Sequence, residues 1–126
     1  MPIKSVLLVD DEPDLRRLAQ FSLQAVGKWE VTAVASGAEA VAAALRTPFD
    51  VVLLDVQMPG LDGPATLRAL RAEPSLVGLP VIFLTASGPD AEAWLRGLGA
   101  LGVIIKPFDP LGLARQVTAL VDAAAA

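Results

Sequence analysis

The hydrophobic pattern switches between two periods along the chain. Five short apolar runs, at residues 3–9, 31–34, 51–54, 81–84 and 103–105, predict β-strands. Four of them are nearly continuous in Val, Leu, Ile and Phe, as expected where helices cover both faces of a parallel sheet. The second, within Trp29-Glu30-Val31-Thr32-Ala33-Val34, mixes polar with apolar residues and is placed at a sheet edge. Between the strands the spacing becomes helical, with Leu15, Leu18, Ala19 and Val26 assigned to one buried face and Ala38, Val41, Ala42 and Leu45 to the next.

Punctuation supports these helices. Asp11 or Glu12 is placed to cap the first, with Pro13 in its first turn, and Ser36 and Glu39 have the spacing of a capping box. Pro64 after Asp62-Gly63 opens the third helix, which ends at Glu73-Pro74. A fourth spans residues 89–98 with Ala91, Trp94, Leu95 and Leu98 on one stripe, and that spacing assigns Trp94 to the core. A fifth groups Leu113, Val117, Leu120 and Val121, and the alanine tail at 123–126 is expected to fray. Strand and helix alternating five times predicts a doubly wound α/β fold with right-handed crossovers. At 126 residues the chain is read as one domain, 1–126, with no effector domain.

Composition narrows the chemistry. With no Cys and no His there is no disulfide framework, thiolate zinc site or imidazole base. Any reaction must use carboxylates, hydroxyls and amines. Ten basic against fourteen acidic residues give a net charge of -4, the wrong sign for counterion-release binding to nucleic acid. Residues 6–9 are too short a run for a secretory segment, and no stretch nears the roughly 18 apolar residues of a membrane span. A cytoplasmic protein without membrane insertion is expected.

Each strand except the edge one ends in a polar group: Asp10 and Asp11, then Asp55, Thr85 and Lys106. Singly, each has an ordinary explanation as a cap, a loop acid or a surface amine. Jointly they sit where open parallel sheets bind ligands, beyond the carboxyl ends of the strands, and are expected to converge on one pocket. Two carboxylates about 4 Å apart repel by roughly 4 kcal/mol at an effective dielectric of 20, so such a cluster requires a cation. All-oxygen ligands favour a hard ion such as Mg²⁺, with Mn²⁺ as the alternative. A carboxylate can also attack phosphorus to give an aspartyl phosphate. Asp55 is the natural candidate, since Asp10 and Asp11 are paired and better suited to the metal. Lys106 and the Thr85 hydroxyl would complete a shell around the phosphoryl oxygens.

The segments VLLVDDEPDLRRL, VVLLDVQMPGLDG, PVIFLTA and GALGVIIKPFD together resemble the CheY-like response-regulator receiver domains of two-component signalling, and the likeness runs over essentially the whole chain. The resemblance implies a flavodoxin-like three-layer fold with strand order 2-1-3-4-5. It implies Asp55 as phosphoacceptor and metal ligand, Asp11 as a direct Mg²⁺ ligand, Asp10 acting partly through water and the Gln57 backbone carbonyl as third protein ligand. Thr85 and Lys106 match the residues that contact the phosphoryl group, Lys106-Pro107 matches the family's cis peptide, and Gln57 and Ser87 occupy positions that tune hydrolysis in similar receivers. The implied donor is a sensor histidine kinase or histidine phosphotransfer protein. The implied output is binding to another protein, or self-association, through helix four, strand five and helix five. Val103 departs from the pattern, because many relatives carry an inward-turning Tyr or Phe there.

Three other readings compete. Residues 97–102 match G-x-G-x-x-G, but they follow a helix and enter a strand, the reverse of a dinucleotide-binding fingerprint. A metal-dependent aspartyl phosphatase would show a D-x-D pattern and a substrate cap, and neither is visible. A phosphorylation-independent docking module would not need the intact constellation of acids, hydroxyl and amine.

Overall fold

The computed structural model describes residues 2–86 and 88–125. The strands β1 (Ser5–Val9), β2 (Glu30–Val34), β3 (Val51–Asp55), β4 (Val81–Thr85) and β5 (Gly102–Ile105) form one parallel sheet in the order β2-β1-β3-β4-β5. The helices between and after them are α1 (Pro13–Ala25), α2 (Gly37–Arg46), α3 (Gly63–Ala72), α4 (Pro89–Gly97) and α5 (Leu113–Ala125). The mixed strand β2 does lie at an edge. A short 3-10 turn, Pro74–Leu76, follows α3 and was not foreseen; it places Leu76 in the core.

Strand side chains alternate between two cores. Leu7, Val9, Val52, Leu54, Val81 and Phe83 face α2, α3 and α4, whereas Val6, Leu8, Leu53, Ile82, Leu84 and Ile104 face α1 and α5. Because both faces are covered, β3 and β4 are buried at every position, which is why their sequences run without polar interruption. β1 begins at Ser5 rather than residue 3. The backbone N–H groups of Lys4 and Ser5 instead donate to the Asp50 carboxylate at 2.8 and 3.0 Å.

Capping follows the sequence with two adjustments. The Ser36 hydroxyl accepts the Glu39 N–H at 3.2 Å, but the Glu39 carboxylate turns back to the Ser36 hydroxyl and the Ala35 N–H rather than to Ser36's own N–H. Glu12 occupies the cap position of α1 without a side-chain bond, and it is Asp10 whose carboxylate accepts the Glu12 N–H at 3.0 Å. Asp62 caps α3 through the Ala65 N–H at 2.9 Å.

Three helix faces differ from those expected. In α1 the buried stripe is Ala19, Ser22 and Leu23, leaving Leu18 and Val26 exposed. A polar residue belongs to this stripe because the Ser22 hydroxyl donates to the Pro110 carbonyl, so its burial leaves no unmet hydrogen bond. In α2 the buried residues are Gly37, Ala40, Ala43 and Ala44, while Ala38, Ala42 and Leu45 face outward. That helix is apolar on nearly every side, so spacing alone does not select a face. In α4 it is Leu95 that is fully buried, and Trp94 is 56% exposed. Adjacent positions lie about 100° apart around a helix, and here Leu95 points at the sheet while the bulkier Trp94 falls outside the buried stripe. Helix α5 buries Leu113 and Val117 as expected and runs through Ala125, so residues 123–125 of the tail are helical. No helix among the described residues is long and apolar enough to cross a membrane.

Candidate functional site

The carboxyl ends of β1, β3, β4 and β5 bring together all five polar residues singled out in the sequence. Asp55 and Thr85 are the last residues of β3 and β4, and Asp10 and Lys106 lie one residue past β1 and β5. Strand pairing sets Asp55 opposite Leu84 and Thr85 opposite Ile105, so these ends lie side by side at one level of the sheet. Asp10, Asp55 and Thr85 are almost wholly buried, at 1%, 6% and 2% exposure.

Lys106 joins the acids. Its ammonium lies 3.2 Å from Asp10 Oδ2 and 3.2 Å from Asp55 Oδ1, and its backbone N–H donates to the Thr85 carbonyl at 2.7 Å. Oxygens of Asp10, Asp11 and Asp55 all lie within 4.8 Å of one another. The peptide bond between Lys106 and Pro107 is cis. Gln57 is exposed and lies two residues beyond Asp55, in the loop that leaves β3.

The electrostatics are unbalanced. Burial pushes the Asp55 carboxyl up from 3.8 to about 6; the Asp10 charge adds to the rise, and the Lys106 charge and the Gln57 N–H resist it. Burial works against the Lys106 ammonium, but the charges of Asp10 and Asp55 outweigh it and its pKa is raised. The Lys106 ammonium thus pairs with two of the three clustered carboxylates, Asp10 and Asp55. A hard divalent ion fits this donor set: three carboxylate oxygens, no nitrogen or sulfur, and an excess of negative charge.

The site opens into a cleft of about 650 Å³. Asp11, Asp55, Gln57, Thr85 and Lys106 line its polar side, and Leu15, Leu18 and Phe108 form an apolar wall. Leu18 is outward-facing because it borders this cleft instead of the core. Trp94 borders a second groove, with Met58 and Pro59 of the loop that follows Asp55 and Pro64 of the first turn of α3. Ser87 lies outside the described residues.

One supporting residue escaped the sequence reading. The Arg16 guanidinium donates to the Asp10 backbone carbonyl at 2.8 Å and ties α1 to the end of β1. Arg16 stands among the charges of Asp14 and Arg17, so nothing in the pattern distinguishes it from a solvated helix surface.

Comparison with known proteins agrees with this geometry. Residues 6–118 match the family model described as response regulator receiver domain. Among curated proteins, the chain is 44% identical over 107 residues to the "Probable transcriptional regulatory protein TcrX" of Mycobacterium tuberculosis, covering 82% of this chain and 44% of the relative. It is 36% identical over 117 residues to the transcriptional regulatory protein ResD of Bacillus subtilis, covering 91% and 47%. The chain therefore spans about half the length of the curated relatives it matches. Among solved structures, the chemotaxis response regulator CheY4 of Vibrio cholerae superposes with a TM-score of 0.86 at 33% identity, covering 94% of this chain and 98% of that one.

Proposed function

This chain belongs to the response regulator receiver domain family, and from that premise we propose that it accepts a phosphoryl group on the Asp55 carboxylate from a phosphohistidine donor, in a Mg²⁺-dependent step that switches its binding to a partner. The observation that carries this reading is the buried Asp10–Lys106–Asp55 ion-pair cluster, which shares its cleft with Asp11 and Thr85. Family membership makes the chain a signalling protein rather than a classical enzyme. The chemistry proposed for it is confined to its own phosphorylation and to hydrolysis of the resulting acyl phosphate.

An oxygen of Asp55 attacks phosphorus in line with the leaving imidazole nitrogen; the P–N bond breaks as the O–P bond forms, and the imidazole leaves to take up a proton. Asp55 is mostly ionised at neutral pH, since its carboxyl titrates at about 6. Its burial beside Asp10 keeps the nucleophile poorly solvated. Asp11, Asp55 and the Gln57 carbonyl would hold Mg²⁺, with Asp10 assisting through water. The ion, when bound, neutralises charge on the phosphoryl oxygens. Lys106 is already placed 3.2 Å from the nucleophile, ready to pair with an added phosphoryl oxygen. The Thr85 hydroxyl is assigned a hydrogen bond to another of these oxygens.

The output is assigned to the face formed by α4, β5 and α5, where it meets another protein or a second copy. Val103 is 8% exposed and has no ring to turn inward. Coupling is assigned instead to the sheet: Thr85 pairs directly with Ile105, which is 43% exposed on that face. A displacement of Thr85 toward a phosphate would reach the surface through one strand pairing. Direct binding of nucleic acid is not assigned to this acidic domain, and a cytoplasmic location suits exchange with kinases.

The test is intact-protein mass after incubation with Mg²⁺ and acetyl phosphate. One added phosphoryl group is expected, lost with a chelator and lost in Asp55→Ala. Persistent labelling of the Asp55 variant would overturn the assignment.

A further inference from the structure

Helix α3 starts closer to the end of β3 than a side chain permits. A Cβ placed on Gly63 would lie 2.6 Å from the Asp55 carbonyl oxygen, 2.8 Å from Val56 Cα and 3.0 Å from Phe83 Cε1. Two of these neighbours are backbone, and the third belongs to a fully buried ring, so no change of rotamer relieves the overlap. Gly63 lacks the positive φ seen at Gly60 and Gly99. Space, not backbone conformation, is what demands glycine here.

The consequence falls on the loop between β3 and α3. The Gly63 N–H donates to the Val56 carbonyl at 2.9 Å and closes that loop onto its own beginning. On the other side the Val56 N–H donates to the Leu84 carbonyl at 3.1 Å, which fixes the end of β3 to β4. With the strand held, it is the loop that must give way if anything is added at position 63. That loop carries Gln57, two residues beyond Asp55.

We infer that Gly63 is a positioning residue for the phosphoacceptor: by allowing backbone-to-backbone contact with Asp55 and Val56, it holds the 56–62 loop, and Gln57 with it, in register with the Asp55 carboxylate. The inference rests on the proposed reading of Asp55 as phosphoacceptor and of Gln57 as metal ligand. Gly63 touches no reacting group and acts only through where it lets the loop lie.

The test compares Gly63→Ala with Gly27→Ala. A Cβ at Gly27 would meet the Leu23 carbonyl oxygen at 2.7 Å and the Trp29 ring at 2.9 Å, a similar overlap at the far end of α1. Each variant is measured for its urea midpoint, its Mg²⁺ dissociation constant by calorimetry, and the amide ¹⁵N resonance of Gln57 in the metal-free protein. Both are expected to lose stability. Only Gly63→Ala is expected to bind Mg²⁺ about tenfold more weakly, the low end of the loss seen when groups supporting a ligand are displaced. Only Gly63→Ala should shift the Gln57 amide resonance, because the loop that carries Gln57 is displaced. Wild-type values in Gly63→Ala, or equal shifts in Gly27→Ala, would overturn the inference. Absence of Mg²⁺ binding by the wild type would instead fell the metal-site reading, and the metal-free Gln57 resonance would still decide the role of Gly63. If Gly63→Ala does not fold, hydrogen exchange on the wild type decides: the Gly63 N–H, given to the Val56 carbonyl, must be protected, and rapid exchange there overturns the inference.

Discussion

Replacing Asp55 with Asn should make the metal-free protein more stable at neutral pH, and the size of the gain follows from the site's electrostatics. The Asp55 carboxyl titrates at about 6 in the fold against 3.8 for an unperturbed group, chiefly because it is buried. A raised carboxyl pKa means the folded state binds more protons than the unfolded chain between those two values, so stability falls as pH rises through that window. Above about pH 6 the whole cost is present. A difference of about two units at 1.36 kcal/mol each puts it near 3 kcal/mol at pH 7, and at pH 4, where the folded carboxyl is protonated, near 0.5 kcal/mol. Asn has nearly the shape of a protonated Asp and carries no charge, so Asp55→Asn removes the cost while Lys106 keeps its pair with Asp10. Urea unfolding followed by far-UV circular dichroism in a chelator, at pH 7 and pH 4, reads both numbers. The variant should gain about 2–3 kcal/mol at pH 7 and under about 1 kcal/mol at pH 4. Equal stabilities at pH 7, or the same gain at both pH values, would refute the reasoning.

Three further outcomes follow from the same contacts. Asp11→Ala should weaken Mg²⁺ binding by more than about tenfold and slow phosphorylation correspondingly, as calorimetry and labelling rates will show; Asp11 borders the cleft and removing it takes one oxygen from the cluster. Lys106→Arg should behave as a disruptive change, because a larger planar guanidinium does not reproduce the compact ammonium that sits 3.2 Å from both carboxylates; normal partner switching in that variant would remove Lys106 from the mechanism. Asp50→Ala should cost about 1.5 kcal/mol by releasing the Lys4 and Ser5 amides. Hydrogen bonding to Ser5 holds the Asp50 carboxyl below 3.8, so its contribution is complete at neutral pH and fades as pH falls below that value; urea midpoints across pH 2–6 test this.

What the sequence disclosed depended on how local each constraint was. The strands were legible because a sheet covered on both faces needs unbroken apolar runs, and Asp55, Thr85 and Lys106 stood out as the polar residues that end them. The orientation of α2 was not legible, because alanine at residues 38, 40, 42, 43 and 44 satisfies several faces equally. Trp94 was assigned inward on spacing, yet its neighbour Leu95 fills the core and leaves the indole over the loop after Asp55. Ser22, Arg16 and Gly63 owe their roles to partners distant in sequence or to backbone approach: the Pro110 carbonyl, the Asp10 carbonyl and the end of β3. Periodicity counts apolar side chains, so it registers none of the three.

Phosphoryl transfer to Asp55 is tested most directly by locating the acyl phosphate chemically. Protein treated with Mg²⁺ and acetyl phosphate is reduced with borohydride, which converts an aspartyl phosphate to homoserine, and the peptides are sequenced by tandem mass spectrometry. Homoserine at position 55, present only when donor and metal are both supplied, is the predicted result. Homoserine at Asp10 or Asp11, or an intact-mass phosphoryl adduct that yields none at position 55, would contradict it.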